Sequence, residues 1–313
     1  MDKIKSSTIY EDGYIMGKEN VKIYYKSYIV EPSKANIVIS HGFCETSEKY
    51  DEIIKIFNEC GFSVYIMDHR GHGKSGRLGI DNSQINVESF EHYVYDFKTF
   101  LDSVVVYNKK EEKIFLFAHS MGGAIGTLFL EKYENYFDGA ILNCPMMEIE
   151  TGKYPIFISK IISKFMCIIG QGNQYILGHG PFKTKENLNE LEFNSQRRYS
   201  SYLKKQLKNK ELQTSGGSFK WLKEAFKATD ILTREENASK VKIPILIFQA
   251  GKDTFVRPGG QNRFASYAKN CKIILREDAK HEIYIEKDTI FNTYIEDVIN
   301  FYNGLLKNKS RIN

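Results

Sequence analysis

Short, almost unbroken apolar runs recur along the chain, separated by stretches in which apolar residues return every three or four positions. The clearest runs are Ile37–Ser40, Phe62–Asp68, Ile114–His119, Gly139–Cys144, Ile245–Ala250 and Lys272–Arg276. They are too short for helices and lack the polar alternation of a half-exposed strand, so they read as strands buried on both faces. Upstream, Tyr14–Met16 and Val21–Ile29 predict an antiparallel hairpin at one edge. Helical spacing fills the intervals at Ser47–Cys60, Val87–Tyr107, the residues after Ser120, Gly260–Lys269 and Thr289–Leu306. Gly61 stands where a helix C-terminus favours a glycine. Strand and helix in alternation predict an α/β fold with a mainly parallel sheet covered by helices.

The alternation breaks once. About a hundred residues separate Cys144 from Pro244, far more than an ordinary connection between strand and helix. The interval carries helical patterns at Tyr154–Ile169, Leu188–Leu207 and Ser218–Thr229, punctuated by GQGNQ, GHGP and SGGS. Because strand–helix alternation resumes afterwards, it reads as a mostly helical cap inserted into one domain. The expected boundaries are 1–145 and 231–313 for the core and 146–230 for the cap.

Composition narrows the function classes. Lys and Arg number 44 against 39 Asp and Glu, a net charge of +5 spread along the chain. That balance argues against a nucleic-acid partner, and no nucleic-acid-binding motif is present. The first residues, MDKIKSSTIYEDGYIM, lack the apolar core of a secretory leader, and no run approaches the ~18 apolar residues of a membrane span. The five cysteines, Cys44, Cys60, Cys144, Cys167 and Cys271, are scattered and odd in number; they read as reduced thiols. The expectation is a cytoplasmic protein, free to make transient peripheral contact with the inner face of a membrane.

The chemistry concentrates in few places. AHSMGG, Ala118–Gly123, sits between a strong strand and a helical run, the context of a nucleophile elbow. Such a turn lifts a serine hydroxyl above the sheet edge at a helix N-terminus, where N–H groups favour an anion. Ser120 is the candidate nucleophile. Ser40-His41-Gly42-Phe43 follows the third predicted strand, so the backbone N–H groups of Phe43 and Met121 are candidate oxyanion donors. Of the seven histidines only His281 follows the last strand, in EDAKHEIYIEKD, which makes it the candidate base. The orienting acid is expected just past the preceding strand, at Asp253 in QAGKDTFV, rather than at Asp278 or Glu282 on the histidine's own loop. His69 and His72, in HRGH, come with no acidic or cysteine ligands, and no metal or other cofactor is expected.

Read together, HGFCETSEKY, DHRGHGKSGR, AHSMGGAI, GKDTFV and KHEIYIE follow in the order found in the lysophospholipase and monoacylglycerol lipase branch of the α/β-hydrolases, the serine aminopeptidase S33 type, and the chain resembles that branch from about residue 10 to residue 303. FNSQRRYSSYLKKQ followed by SGGSFKWLKEAF is similar to the cap of bacterial lysophospholipases of the second type. The resemblance implies an α/β-hydrolase fold and a serine esterase using Ser120, Asp253 and His281, with oxyanion donors at Phe43 and Met121. It also implies a single-chain acyl lipid as substrate. Transacylation through the same acyl-enzyme is the alternative activity, and lipid binding without catalysis is a third reading. Two residues depart from the branch: Cys44 and Ala118 stand where glycine is usual.

Five cap residues are candidates for substrate contact. Trp221, with Phe219 and Phe226, would line an acyl tunnel or simply pack the cap. Arg197 and Arg198 would bind a lipid phosphate or pair with cap carboxylates such as Glu190 or Glu192. The apolar stretch Tyr154–Ile169, with Lys160 and Lys164 four residues apart, suits a helix lying at a lipid interface or one packed on the sheet domain.

Overall fold

The computed structural model describes residues 8–106, 112–183 and 195–307. Among them eight strands form one sheet: β1 (Thr8–Met16), β2 (Lys22–Val30), β3 (Asn36–Ser40), β4 (Ser63–Met67), β5 (Ile114–His119), β6 (Gly139–Asn143), β7 (Ile245–Ala250) and β8 (Cys271–Arg276). The spatial order is β1-β2-β4-β3-β5-β6-β7-β8. β2 runs antiparallel to β1 and β4, and every pairing from β4 through β8 is parallel. The fold class read from the apolar runs is the one observed. All residues of β3, β4, β5 and β6 are buried, which is why these strands show no alternation.

The helices are α1 (Asp51–Glu59), α2 (Glu91–Phe100), α3 (Ser120–Lys132), α4 (Ile156–Ile168), α5 (Gln196–Lys208), α6 (Phe219–Leu232), α7 (Glu235–Ala238), α8 (Pro258–Tyr267) and α9 (Asp288–Lys307). α1 is shorter than its pattern because a 3₁₀ turn, Ser47–Tyr50, leads into it. Just past its C-cap, Cys60, stands Gly61, whose φ of +86° only glycine adopts freely. α2 passes into a wider π turn at Leu101–Val105, and Tyr107, the expected end of that helix, lies outside the described residues. Phe57 of α1 packs edge-on against Phe117 and Tyr302, joining α1 and α9 on one face of the sheet. Phe97 of α2 meets Phe129 of α3.

Chain direction reverses at the centre of the sheet: from β3 the chain steps to β4 on one side, then returns to β5 on the other. The crevice beyond the carboxyl ends of β3 and β5 is therefore a topological switch point, where open α/β sheets place their sites. Ser40 ends β3 and His119 ends β5, so Phe43 and Ser120 emerge side by side.

α4 through α7 occupy the interval between β6 and β7. Ser195 and Ser218 cap α5 and α6, accepting from the N–H groups of Arg198 and Trp221. The helical pattern expected from Leu188 begins at Gln196; residues 188–194 lie outside the described residues. α4 is tied to α6 by Lys160 on Asp230 at 2.6 Å. Isolated bridges join the interval to the sheet domain at Ile85–Gly217 and Ile149–Val256. Among the described residues no helix is long and apolar enough to cross a membrane.

Candidate active site

Ser120 leaves β5 and enters α3 with φ of +50°, a left-handed conformation that costs a non-glycine residue on the order of 1–3 kcal/mol. Its neighbours permit the turn. A Cβ at Gly122 would strike the carbonyl oxygens of Ser40 and His41, and one at Gly123 would strike Pro145. Both positions must be glycine for α3 to approach the end of β3 this closely. The departure at Ala118 is fully buried within β5.

The loop between β8 and α9 carries His281 over the serine. His281 Nε2 lies 2.9 Å from Ser120 Oγ, and Nδ1 lies 2.7 Å from Asp253 Oδ2. An ionised carboxylate only accepts, so the proton sits on Nδ1 and leaves Nε2 as the acceptor of the serine hydroxyl. Asp253 is held by the turn after β7. Its Oδ1 accepts from the N–H groups of Phe255 and Val256 at 2.9 and 3.0 Å. Burial raises the Asp253 carboxyl, but these bonds and the His281 contact outweigh it and hold the group below the ordinary carboxylate range. Gly251 and Lys252 bond through their N–H groups to the carbonyls of Arg276 and Ala279, fixing the acid loop against the histidine loop. Asp278, the alternative acid, points outward and pairs with Lys252 at 2.8 Å.

The loop after β3 is fixed as firmly. His41 Nε2 accepts from His69 N–H at 2.9 Å, so its proton is on Nδ1, which donates to the Gly42 carbonyl at 2.8 Å. Because a peptide is planar, pinning that carbonyl toward His41 turns the N–H of Phe43 the opposite way. Gly42 N–H in turn donates to Glu45 Oε2 at 2.7 Å. Met121 is the second residue of α3, so its N–H has no partner within the helix. The rings of His41, His69 and His72 pack together, tilted or edge-on, the first two with centroids 4.4 Å apart. The HRGH histidines thus support this loop.

Above the serine lies a cavity of about 580 Å³, lined mainly by apolar side chains including Phe43, Ile162, Ile176, Trp221, Leu222 and Phe255. Trp221 and Phe219 both line it, and the indole packs against Phe43 at a tilt of 36° with centroids 4.1 Å apart. Phe226 is buried beneath Lys160 instead.

Arg197 and Arg198 do not line the cavity. Arg198 is buried and reaches from α5 to Glu52 of α1, Asp288 of α9 and the Glu286 carbonyl, with its guanidinium 3.9 Å from the Phe291 centroid. Arg197 is exposed and leans toward Glu52 and Asp288. Of the two readings, pairing with carboxylates is the one seen, but the partners are Glu52 and Asp288 of the sheet domain, so that Arg198 anchors α5 to that domain. Glu190 and Glu192, the other partners considered for them, lie outside the described residues.

Sequence reasoning weighed Glu282 only as an alternative acid and missed the polar cluster that it forms with Glu45, Lys49 and His119 under His281, in which Glu45 and His119 are buried and Glu282 reaches the cavity wall. The His119 and His281 ring centroids are 4.7 Å apart. The only available signals were adjacency, His119 and Glu282 flanking two site residues, and the four-residue spacing of Glu45 and Lys49. Among the described residues, side chains spaced closely enough to hold a metal ion occur as Cys144, Asp253 and His281, and as Glu45, His119 and Glu282. In the first group the acid and the imidazole are already bonded to each other.

Residues 31–288 match the serine aminopeptidase S33 family. A probable lysophospholipase L2 from Haemophilus influenzae is 31% identical over 93% of this chain and 91% of its own. Lysophospholipase L2 of Escherichia coli is 26% identical over 94% and 87%. Among solved structures, a soluble variant of monoglyceride lipase from Saccharomyces cerevisiae superposes with a TM-score of 0.75 at 19% identity, covering 96% of each chain. A thermostable carboxyl esterase from Bacillus coagulans gives 0.76 at 20%, covering 96% of this chain and all of its own. The chain belongs to the serine aminopeptidase S33 family and has the α/β-hydrolase fold.

Proposed function

We propose that this protein is a serine esterase that hydrolyses the acyl ester of single-chain lipids, lysophospholipids or monoacylglycerols, through an acyl-enzyme. The observation that carries the reading is His281 bonded through both nitrogens, between Ser120 and Asp253, on the floor of an apolar cavity. Ser120 Oγ attacks the ester carbonyl while His281 Nε2 takes its proton. Asp253 keeps the imidazole in the required tautomer and stabilises the imidazolium. The N–H groups of Phe43 and Met121 receive the oxyanion as it forms, and backbone donors held this firmly need no reorganisation. His281 then returns the proton to the leaving alcohol, and water cleaves the acyl-enzyme by the same steps in reverse.

The residues between β6 and β7 act as the lid and acyl-binding half. The names of the L2 relatives and the apolar lining support a lipid chain in the cavity. Phe157, Ile161, Phe165 and Ile168 form an outward stripe on α4, each more than half exposed, which suits transient seating on a lipid surface. The test is a panel of lysophosphatidylcholine, lysophosphatidylethanolamine, monoacylglycerol and p-nitrophenyl butyrate compared by kcat/KM, with products analysed with and without an acceptor lipid. Long single-chain esters should exceed butyrate by 10-fold or more, as roughly 0.8 kcal/mol per buried CH₂ requires. Butyrate turned over as well as every lipid would remove the lipid assignment. Diacyl products would move it to transacylation.

A further inference from the structure

Beneath His281 two carboxyl groups meet one ammonium. Glu45, in the loop after β3, accepts from four donors: Gly42 N–H at 2.7 Å, Tyr50 Oη at 2.7 Å, Lys49 Nζ at 2.8 Å and Tyr284 Oη. A carboxyl group so surrounded is ionised. Burial works against the charge, but Lys49 and the hydroxyl donors hold Glu45 well below the usual carboxylate range.

Glu282 is differently placed. One oxygen receives Lys49, while Oε2 is buried and has no hydrogen-bond partner. The neighbouring group is an acceptor too. His119 directs Nδ1 at the Asn143 carbonyl at 3.1 Å, an oxygen that can only accept, so the proton is on Nδ1 and Nε2 presents a lone pair. That Nε2 lies 3.9 Å from Glu45 Oε1. One ligand-type atom each from Glu45, His119 and Glu282 lie within 4.8 Å of one another. Were Glu282 ionised, two carboxylates and an imidazole lone pair would share a single ammonium at a cavity wall where the Glu282 side chain is 17% exposed and its Oε2 is covered, leaving one charge without a direct partner.

We infer that Glu282 carries a proton at neutral pH and thereby keeps a second negative charge away from the His281 imidazole. The alternative carrier is His119, but burial pushes its imidazole down to about 3, so it stays neutral. Burial raises Glu282 against the pull of Lys49. The other charged and titratable groups around it are Glu45 and His281, with Tyr50, Tyr284 and the Tyr202 ring packed on the Lys49–Glu45 pair. An ionised Glu282 would favour the imidazolium of His281 and delay the appearance of the free base to higher pH. The inference rests on the proposed triad only for this kinetic consequence, because the position of the proton is measurable without turnover.

Infrared difference spectra of wild type against Glu282→Gln at pH 7, in H₂O and D₂O, test it. Wild type should show the carbonyl stretch of a protonated carboxylic acid that the variant lacks, whereas Glu45→Gln should lose only carboxylate bands. No protonated-acid band assignable to Glu282 overturns the inference, whether the site then holds a bare carboxylate or a bound cation. In kinetics, the acidic limb of kcat/KM should keep its position in Glu282→Gln, since glutamine mimics the neutral acid. A shift of that limb to lower pH by on the order of one unit or more would mean that a negative charge had been removed, which also overturns it. Neither outcome touches the triad, whose failure would show instead as esterase activity persisting without Ser120. Should Glu282→Gln not fold, Glu282→Asp decides: it keeps a carboxyl at this position but moves it by one methylene, so a shifted protonated-acid band supports the inference and an unmoved one ends it.

Discussion

The two halves of the cavity are built on opposite terms. On the sheet side each side chain of the proposed triad is buried and bonded: Asp253 through both oxygens, His281 through both nitrogens, and Ser120 through its hydroxyl, at a φ of +50°. On the lid side the surfaces are apolar and incompletely covered, with Phe157, Ile161, Phe165 and Ile168 turned outward from α4 and Leu177 exposed at the cavity. The contrast separates two requirements. Proton transfer needs groups held to within about 0.5 Å, which rigid strand ends provide. Accommodating an acyl chain needs contact area, which mobile or adaptable apolar side chains can supply without fixed geometry.

If the sheet side carries the chemistry, the largest loss follows from Ser120→Ala. The expected fall in kcat is on the order of 10⁴-fold or more, with labelling by a fluorophosphonate abolished and the circular dichroism spectrum unchanged. Labelling at another serine would place the chemistry elsewhere. Asp253→Asn comes next, at roughly 10³–10⁴-fold, because an amide that donates to Nδ1 favours the wrong tautomer. Asp278→Asn, on the exposed partner of Lys252, should leave kcat within a factor of about two, as expected for a surface substitution. The reverse order between these two variants would reassign the acid.

Much of that sheet side is legible in the sequence. Buried parallel strands write themselves as continuous apolar runs, and the elbow, the HGF turn and the late histidine each occupy a place the topology dictates. Less was legible on the lid side and in the cluster under His281. The Arg198 guanidinium touches nothing near it in sequence: Glu52 and Asp288 are far away along the chain, so the resemblance of the cap segment leaves a lipid phosphate open as a partner where the fold supplies carboxylates. Likewise Glu45, His119 and Glu282 converge only because the ends of β3 and β5 and the loop after β8 meet. No short-range pattern encodes that meeting.

The lid side predicts smaller, conditional effects. Replacing Phe157 and Ile161 together with aspartate should weaken partition onto phospholipid vesicles and lower turnover of vesicle-borne lysophospholipid by ~10–100-fold, the loss of roughly 1.5–3 kcal/mol of apolar burial. Turnover of p-nitrophenyl butyrate in solution should not change, since neither side chain lines the cavity. Equal losses on both substrates would mean that the stripe packs within the protein, and the contrast between the two halves would then fail on the lid side.

The smallest kinetic effect and the clearest structural one belong to Arg198, where the two halves are joined. Its side chain is 4% exposed, while Glu52 and Asp288 are 40% and 67% exposed. Removing the guanidinium therefore strands no buried carboxylate; both partners can rehydrate, unlike those of a fully buried pair. What is lost is a set of charged hydrogen bonds, including that to the Glu286 carbonyl, and the contact with the Phe291 ring. Arg198→Ala should lower unfolding stability by roughly 1.5–3 kcal/mol, read as a shift in denaturation midpoint at unchanged slope. Arg197→Ala, on a side chain 68% exposed, should change stability by less than about 0.5 kcal/mol. Because the anchor holds α5 rather than substrate, any fall in kcat/KM should be the same for lysophospholipid and monoacylglycerol. A loss confined to lysophospholipid would return Arg198 to the head group and require α5 to leave its present seat on α1 and α9 during binding.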